Sequence, residues 1–209
     1  LVRPDKSDVC IEGRGEIGIT LHPFNEVVAI TVKWRHNGTS GVLVYGTKPY
    51  TPKDGVTYHH CENESALLTQ FLSDWRGKGD YPDIVTGWNV QFFDMPYLVN
   101  RVTRVLGDAA MLKFSPLGRI AQRTVTIYGR DQQVVDIRGI AILDYFELYR
   151  KFTYSQQESY RLDNIAHVEL GEKKLDYSEF ETLHQLYKQD YQKFIEYNIK
   201  DVELVEKLE

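Results

Sequence analysis

Short β-branched apolar runs alternate along this chain with amphipathic stretches of helical period, and that alternation restricts it to the α/β class. Glu26 to Trp34 (EVVAITVKW) and Gly41 to Tyr45 (GVLVY) read as strands, and the polar turn His36 to Ser40 between them closes an antiparallel hairpin. Asn63 is placed to cap a helix from Glu64 to about Arg76, with Leu67, Leu68, Phe71, Leu72 and Trp75 on one face. Asp83 to Trp88 (DIVTGW) reads as a short buried strand, and Met95 to Leu106 as a helix that tolerates Pro96 in its first turn. Arg123 to Tyr128 and Gln132 to Ile137 alternate around Gly129-Arg130-Asp131, the pattern of a protruding hairpin. Ile140 to Tyr149 starts apolar and reads as a strand running into a helix; Ser159 to Val168 is a short helix. Gln185 to Glu209 is the clearest helix, with Phe194, Tyr197, Asp201, Leu204, Val205 and Leu208 near one stripe. The expectation is a mixed sheet flanked by helices.

At roughly 100–200 residues per domain, a chain of this length is expected to form one domain, residues 1–209. The glycine-rich, charged stretch up to about Asn25 has weak periodicity and receives no element. The two cysteines, Cys10 and Cys61, exclude a secreted disulfide framework and a four-thiolate zinc site. No apolar run approaches the roughly 18 residues of a membrane span, and Leu1 to Asp8 lacks the apolar core of a secretory signal. The expected setting is cytoplasmic, with no membrane partner. A net charge of −5 argues against a broad basic face gripping duplex DNA, where binding is mostly phosphate neutralisation. It leaves room for an enzyme that draws a few nucleotides of one strand into an acidic cleft filled by cations.

Asp201 is the informative irregularity. It places a carboxylate in the apolar stripe of the last helix, four residues after Tyr197, so the phenol and the acid point the same way. The competing reading is a ragged stripe with Asp201 at a wet edge. Gly87-Trp88-Asn89-Val90-Gln91-Phe92-Phe93-Asp94 is the second feature, a polar-aromatic turn leading from a strand end to a carboxylate just before a helix. Asp94 can cap that helix, or it can face a site, since ligands on open α/β sheets bind outside strand ends. Asn89 offers an amide. Phe93 offers either core packing or a ring on which a base stacks.

Asn89-x-x-x-Phe93-Asp94 and Tyr197-x-x-x-Asp201 resemble the second and third motifs of the proofreading 3′–5′ exonuclease of family B DNA polymerases. The surrounding strings GWNVQFFDMPYLVNRV, LDYFELYRKF, SYRLDNIAHVELGEKKLDY and EYNIKDVELVEKL are similar to those of large tailed bacteriophages. The resemblance covers about Val27 to Glu209, with Ser159-Tyr160-x-Leu162-Asp163 between the two motifs. Palm motifs are absent, so the expectation is an exonuclease domain whose partners are a single-stranded DNA 3′ end and the remainder of a DNA polymerase. The resemblance implies a ribonuclease-H-like fold and phosphodiester hydrolysis with two Mg²⁺ or Mn²⁺ ions about 4 Å apart, held by carboxylate oxygens. It implies Asp94 and Asp201 as metal ligands and Tyr197 as the group orienting the attacking water. Asn89 and Phe93 are then the DNA-binding residues, and the hairpin near Gly129 stands near the primer–template junction.

The family's first motif, Asp-x-Glu at the end of an apolar first strand, does not occur upstream of Val27. Asp8-Val9-Cys10 is nearest by position, with Cys10 where the glutamate belongs, and a thiol is a poor Mg²⁺ ligand. Glu12 and Glu16 follow. Three readings stay open: the first strand is missing or altered, Asp8 ligates metal with Glu12 substituting for the absent glutamate, or part of the site is lost. The alternative function is accordingly a catalytically impaired single-strand-binding module. A stand-alone ribonuclease of the same superfamily would share the carboxylates but tolerate a 2′-hydroxyl.

Overall fold

The computed structural model describes residues 25–77, 79–127, 129–172, 179–180 and 182–209. In chain order the elements are β1 (Ala29–His36), β2 (Thr39–Gly46), β3 (Val56–His60), α1 (Glu64–Arg76), β4 (Ile84–Gly87), a π-helical turn (Val90–Asp94), α2 (Met95–Leu106), α3 (Asp108–Met111), a 3₁₀ turn (Leu112–Phe114), β5 (Ile120–Ile127), β6 (Arg130–Ile137), β7 (Ala141–Asp144), α4 (Tyr145–Phe152), α5 (Leu162–Leu170), α6 (Leu183–Gln189) and α7 (Tyr191–Leu208). The α/β class is as expected. The described residues form two compact units, one made of residues 27–67 and 152–209, the other chiefly of residues 68–151.

In the first unit, β2 lies between an antiparallel β1 and a parallel β3, so this sheet is mixed. The β1–β2 connection is tighter than the sequence suggests. Only Asn37 (φ 48°) and Gly38 (φ 80°) separate the strands. Two successive positive φ values give the turn whose twist matches that of its strands, and Asn-Gly is the pair that adopts it most readily. Val28, Ala29, Val42 and Val44 pack with Leu183, Leu186, Phe194, Ile195, Tyr197 and Ile199 in one core.

The single helix expected over Gln185 to Glu209 is two. Asp190 leaves helical geometry (φ −139°, ψ 81°), and its carboxylate accepts the Lys193 N–H at 2.9 Å, capping α7. Thr182 caps α6 in the same way, accepting the Gln185 N–H at 3.2 Å. Each cap satisfies an N–H that a helix start leaves without a partner, which lowers the cost of the break. α5 begins at Leu162 rather than Ser159 and ends on Gly171 at φ 67°, a left-handed stop that glycine adopts without strain.

In the second unit, β4 and β7 run parallel, with Ile84 opposite Ala141 and Gly87 opposite Asp144. The sequence reading made β4 buried; instead Ile84 is 57% exposed and Thr86 is exposed too. Its only strand neighbour among the described residues is β7. The β5–β6 hairpin forms as expected, but Arg130 and Asp131, read as part of the turn, are already in β6, with Ile127 opposite Arg130 and Gly129 at φ 73°. Val134, Val135 and Ile137 of β6 are buried while β5 is largely exposed, so the base of this hairpin is packed rather than projecting. α1, whose first residues belong to the first unit, forms as expected, with Asn63 Oδ1 accepting the Ala66 N–H at 3.0 Å. Phe71, Trp75 and Phe114 cluster by their rings, and the Trp75 indole donates to the Phe114 carbonyl at 2.9 Å.

Candidate functional site

The parallel strands β4 and β7 end side by side, at Gly87 and Asp144. The carboxyl ends of parallel strands are where open α/β sheets present ligand-binding residues. From β4 the chain passes through Trp88 and Asn89 into the π-helical turn, where the Met95 N–H bonds to the Val90 carbonyl and the Phe93 N–H to the Asn89 carbonyl at 3.0 Å. A turn of this kind carries one residue more than an α-turn and re-aims its side chains, and it recurs at functional sites. Asn89 holds left-handed geometry (φ 66°, ψ 24°). Among non-glycine residues, asparagine tolerates that conformation best. The turn folds back closely on the strand: a Cβ added at Gly87 would stand 3.1 Å from the Val90 Cβ.

Three of the sequence-selected residues, Asn89, Phe93 and Asp94, share this turn, and all are half-buried. Phe93 stacks on Tyr97 (5.8 Å between ring centroids, 23° between planes) and keeps part of its surface exposed, unlike the buried Phe92. Asp94 has helical φ and ψ, and its side chain makes no capping hydrogen bond to α2. The capping role open to it in the sequence is therefore not what it does.

Asp144 was not singled out in the sequence, yet it organises this turn. Its carboxylate is 3% exposed. Oδ1 accepts the Asn89 N–H at 3.0 Å and the Phe146 N–H at 3.0 Å, and Oδ2 accepts the Gln91 N–H at 2.9 Å. Burial pushes its pKa up to about 6, against the lowering effect of the three N–H donors and with a further push from the Asp94 charge. The available signal was an apolar strand ending in an aspartate directly before a helix, in Leu143-Asp144-Tyr145. Trp88 packs edge-on against Phe146 (5.8 Å, 76°) and tilted against Tyr149 (6.0 Å, 50°), so the turn is braced on α4 as well.

In the other unit, α7 carries Tyr197 and Asp201 one turn apart, 3% and 1% exposed. Asp201 is not at a wet edge. It lies buried on the stripe shared by Phe194, Leu204 and Val205. A carboxylate at such depth costs several kcal/mol unless a cation or hydrogen bonds compensate it. Asn198, also fully buried, donates to the Phe194 carbonyl at 2.9 Å. Asp8, Glu12 and Cys10 lie outside the described residues. Among the described residues no group of three or more His, Cys, Asp or Glu side chains is gathered as a metal cluster.

Residues 15–165 match the family described as DNA polymerase family B, exonuclease domain. The chain belongs to the family B DNA polymerase exonuclease domains. Its similarity is of the phage type: it is 37% identical over 157 residues to a DNA-directed DNA polymerase of Enterobacteria phage T4, covering 75% of this chain. It is also 37% identical over 150 residues to that of Escherichia phage RB69, covering 71% of this chain. A DNA polymerase delta catalytic subunit of Bos taurus is 27% identical over 186 residues, 79% of this chain and 16% of that protein. The matched stretch covers only 17% and 16% of the lengths of the two phage polymerases. Asn89, Phe93, Asp94 and Asp144 fall inside the span that matches the family, whereas Tyr197 and Asp201 lie C-terminal to it.

Proposed function

We propose that this chain is a 3′–5′ proofreading exonuclease domain of ribonuclease-H-like fold, a single domain over residues 1–209, that hydrolyses terminal phosphodiester bonds of single-stranded DNA. In this reading it works within a DNA polymerase in the cytoplasm, that of a host cell for a phage enzyme. The observation that carries the reading is the turn after β4: within the family's matched span, it ends on an Asp94 carboxylate not used as a helix cap.

The donor set suits hard divalent cations. Asp94 and Asp201 are carboxylates, the oxygen ligands that Mg²⁺ and Mn²⁺ prefer. Asp94 and Asp201 are the proposed ligands for two Mg²⁺ or Mn²⁺ ions, with Asp8 and Glu12 as the candidates for the remaining positions. Bound there, the ions would supply Lewis acidity at the scissile phosphate and neutralise charge on the leaving 3′ oxygen. The Tyr197 hydroxyl accepts a hydrogen bond from the attacking water and turns its lone pair toward phosphorus. The Asn89 amide holds the terminal nucleotide and the Phe93 ring stacks on its base.

A second reading, an impaired single-strand-binding module, is favoured by one observation: no Asp-x-Glu occurs before Val27. Digestion of a 5′-labelled single-stranded DNA oligonucleotide with Mn²⁺, with Mg²⁺ and with EDTA separates the two. A metal-dependent ladder shortening from the 3′ end is the expected result. Retention of the oligonucleotide without cleavage supports the impaired module. Faster loss of an RNA of the same sequence supports the ribonuclease.

A further inference from the structure

We propose that Asp144 is a positioning residue of the nuclease site, fixing through its carboxylate the turn that carries Asn89, Phe93 and Asp94. The inference rests on the nuclease reading for its effect on rate, and on geometry alone for its effect on the turn.

The arrangement is specific. Asp144 stands at the end of β7, opposite Gly87 at the end of β4, and accepts N–H bonds from both the first and the third residue of the segment Asn89–Gln91. A third bond, from the Phe146 N–H, ties the same carboxylate to the start of α4. Each oxygen is thus engaged by backbone donors, and the acid is directed inward at the chain rather than outward at a ligand. A left-handed non-glycine residue is strained and persists where its surroundings hold it. Asn89 is such a residue, and its own N–H is one of the three donors. A charged acceptor makes stronger hydrogen bonds than a neutral one, so one buried carboxylate can hold several amides in an unusual geometry. Between Asn89 and Asp94 the backbone makes the wider π-type bond to Met95, so an error in the first residues of the turn is carried to Phe93 and Asp94. Displacements on the order of 1 Å cost about a hundredfold in rate.

Asp144→Asn keeps the size but replaces one acceptor oxygen with an NH₂ that opposes a backbone N–H. Four measurements follow. In the wild-type chain, amide hydrogen exchange is expected to find the Asn89 and Gln91 N–H groups protected to the level of the β7 amides. Exchange at the rate of an open loop would overturn the proposal without any variant. In D144N, well below its thermal midpoint, exchange is expected to accelerate at residues 89–94 while the amides of β1, β2 and α7 keep wild-type rates. Cleavage at saturating oligonucleotide and Mn²⁺ is expected to fall by about tenfold or more. Wild-type exchange at Asn89 and Gln91 in D144N, or a wild-type turnover rate, would sink it. If the wild-type chain itself fails to cleave, the nuclease reading fails separately. Asp144 is then decided by the exchange data and by oligonucleotide binding in EDTA, where D144N is expected to bind about threefold or more weakly through Asn89 and Phe93; unaltered exchange and binding would count against it.

Discussion

Asp94 and Asp201 carry the same group in different surroundings, one half-buried at the end of a turn and the other 1% exposed on a helix stripe. Neither is expected to matter to folding as a cap. Asp94→Ala should leave the thermal midpoint within about 2 °C of wild type, because no capping bond is lost. Tyr197 sits in the first unit's core, so Tyr197→Phe keeps the ring packing. It is expected to slow cleavage by roughly ten- to hundredfold without abolishing it, as removal of an orienting group does; a single-turnover time course checks this, and an unchanged rate removes Tyr197 from the mechanism. The turn residues Asn89, Phe93 and Asp94 were legible in the sequence because aspartate and asparagine beside a strand end stand out. Asp144 stands in a similar place, an aspartate between a strand end and a helix, but its part in the turn is not local. Its bonds to Asn89 and Gln91 span 55 and 53 residues, a separation that local pattern does not encode.

Among the elements, those with a strong period and a local cap were read correctly. α1 has both, in its apolar face and Asn63. The α6–α7 break was missed because the apolar stripe continues past it, and only the Asp190 side chain marks the new start. Asp190→Ala is therefore expected to cost about 1 kcal/mol, or roughly 2–4 °C in midpoint, by thermal unfolding. A wild-type midpoint would mean that tertiary packing alone sets the boundary. The exposure of β4 was hidden for a related reason. An apolar run reports that a segment suits burial, not how many neighbours will cover it.

For the whole molecule, the first unit is laced by charge pairs that local pattern could not reveal. Glu206 on α7 accepts from Lys33, and from Arg35 at 2.9 Å, both on β1. Glu172 accepts from Lys200 at 2.6 Å and from Lys207. The hydrogen bonds from Lys200 and Lys207 hold the Glu172 carboxyl down at about 2, and those from Lys33 and Arg35 hold Glu206 below its ordinary value. A carboxylate whose pKa falls on folding adds stability above its unfolded value, here 4.5, and loses it as pH drops through the folded value. The midpoint is therefore expected to fall as pH is lowered from about 4.5 towards 2, and E172Q should flatten that slope; a slope the same in both proteins would assign it to other groups. The central proposal is that Asp94 and Asp201 are ligands for the divalent cations with which this domain cuts a 3′ end. The most direct test is the initial rate of 3′-end removal from a 5′-labelled single-stranded DNA in Mn²⁺, for the wild-type chain beside D94A and D201N, each shown folded by its thermal midpoint. The account expects cleavage by the wild-type chain and a loss of about a thousandfold or more, roughly 4 kcal/mol of barrier, in both variants. Near-wild-type cleavage by either folded variant would contradict it.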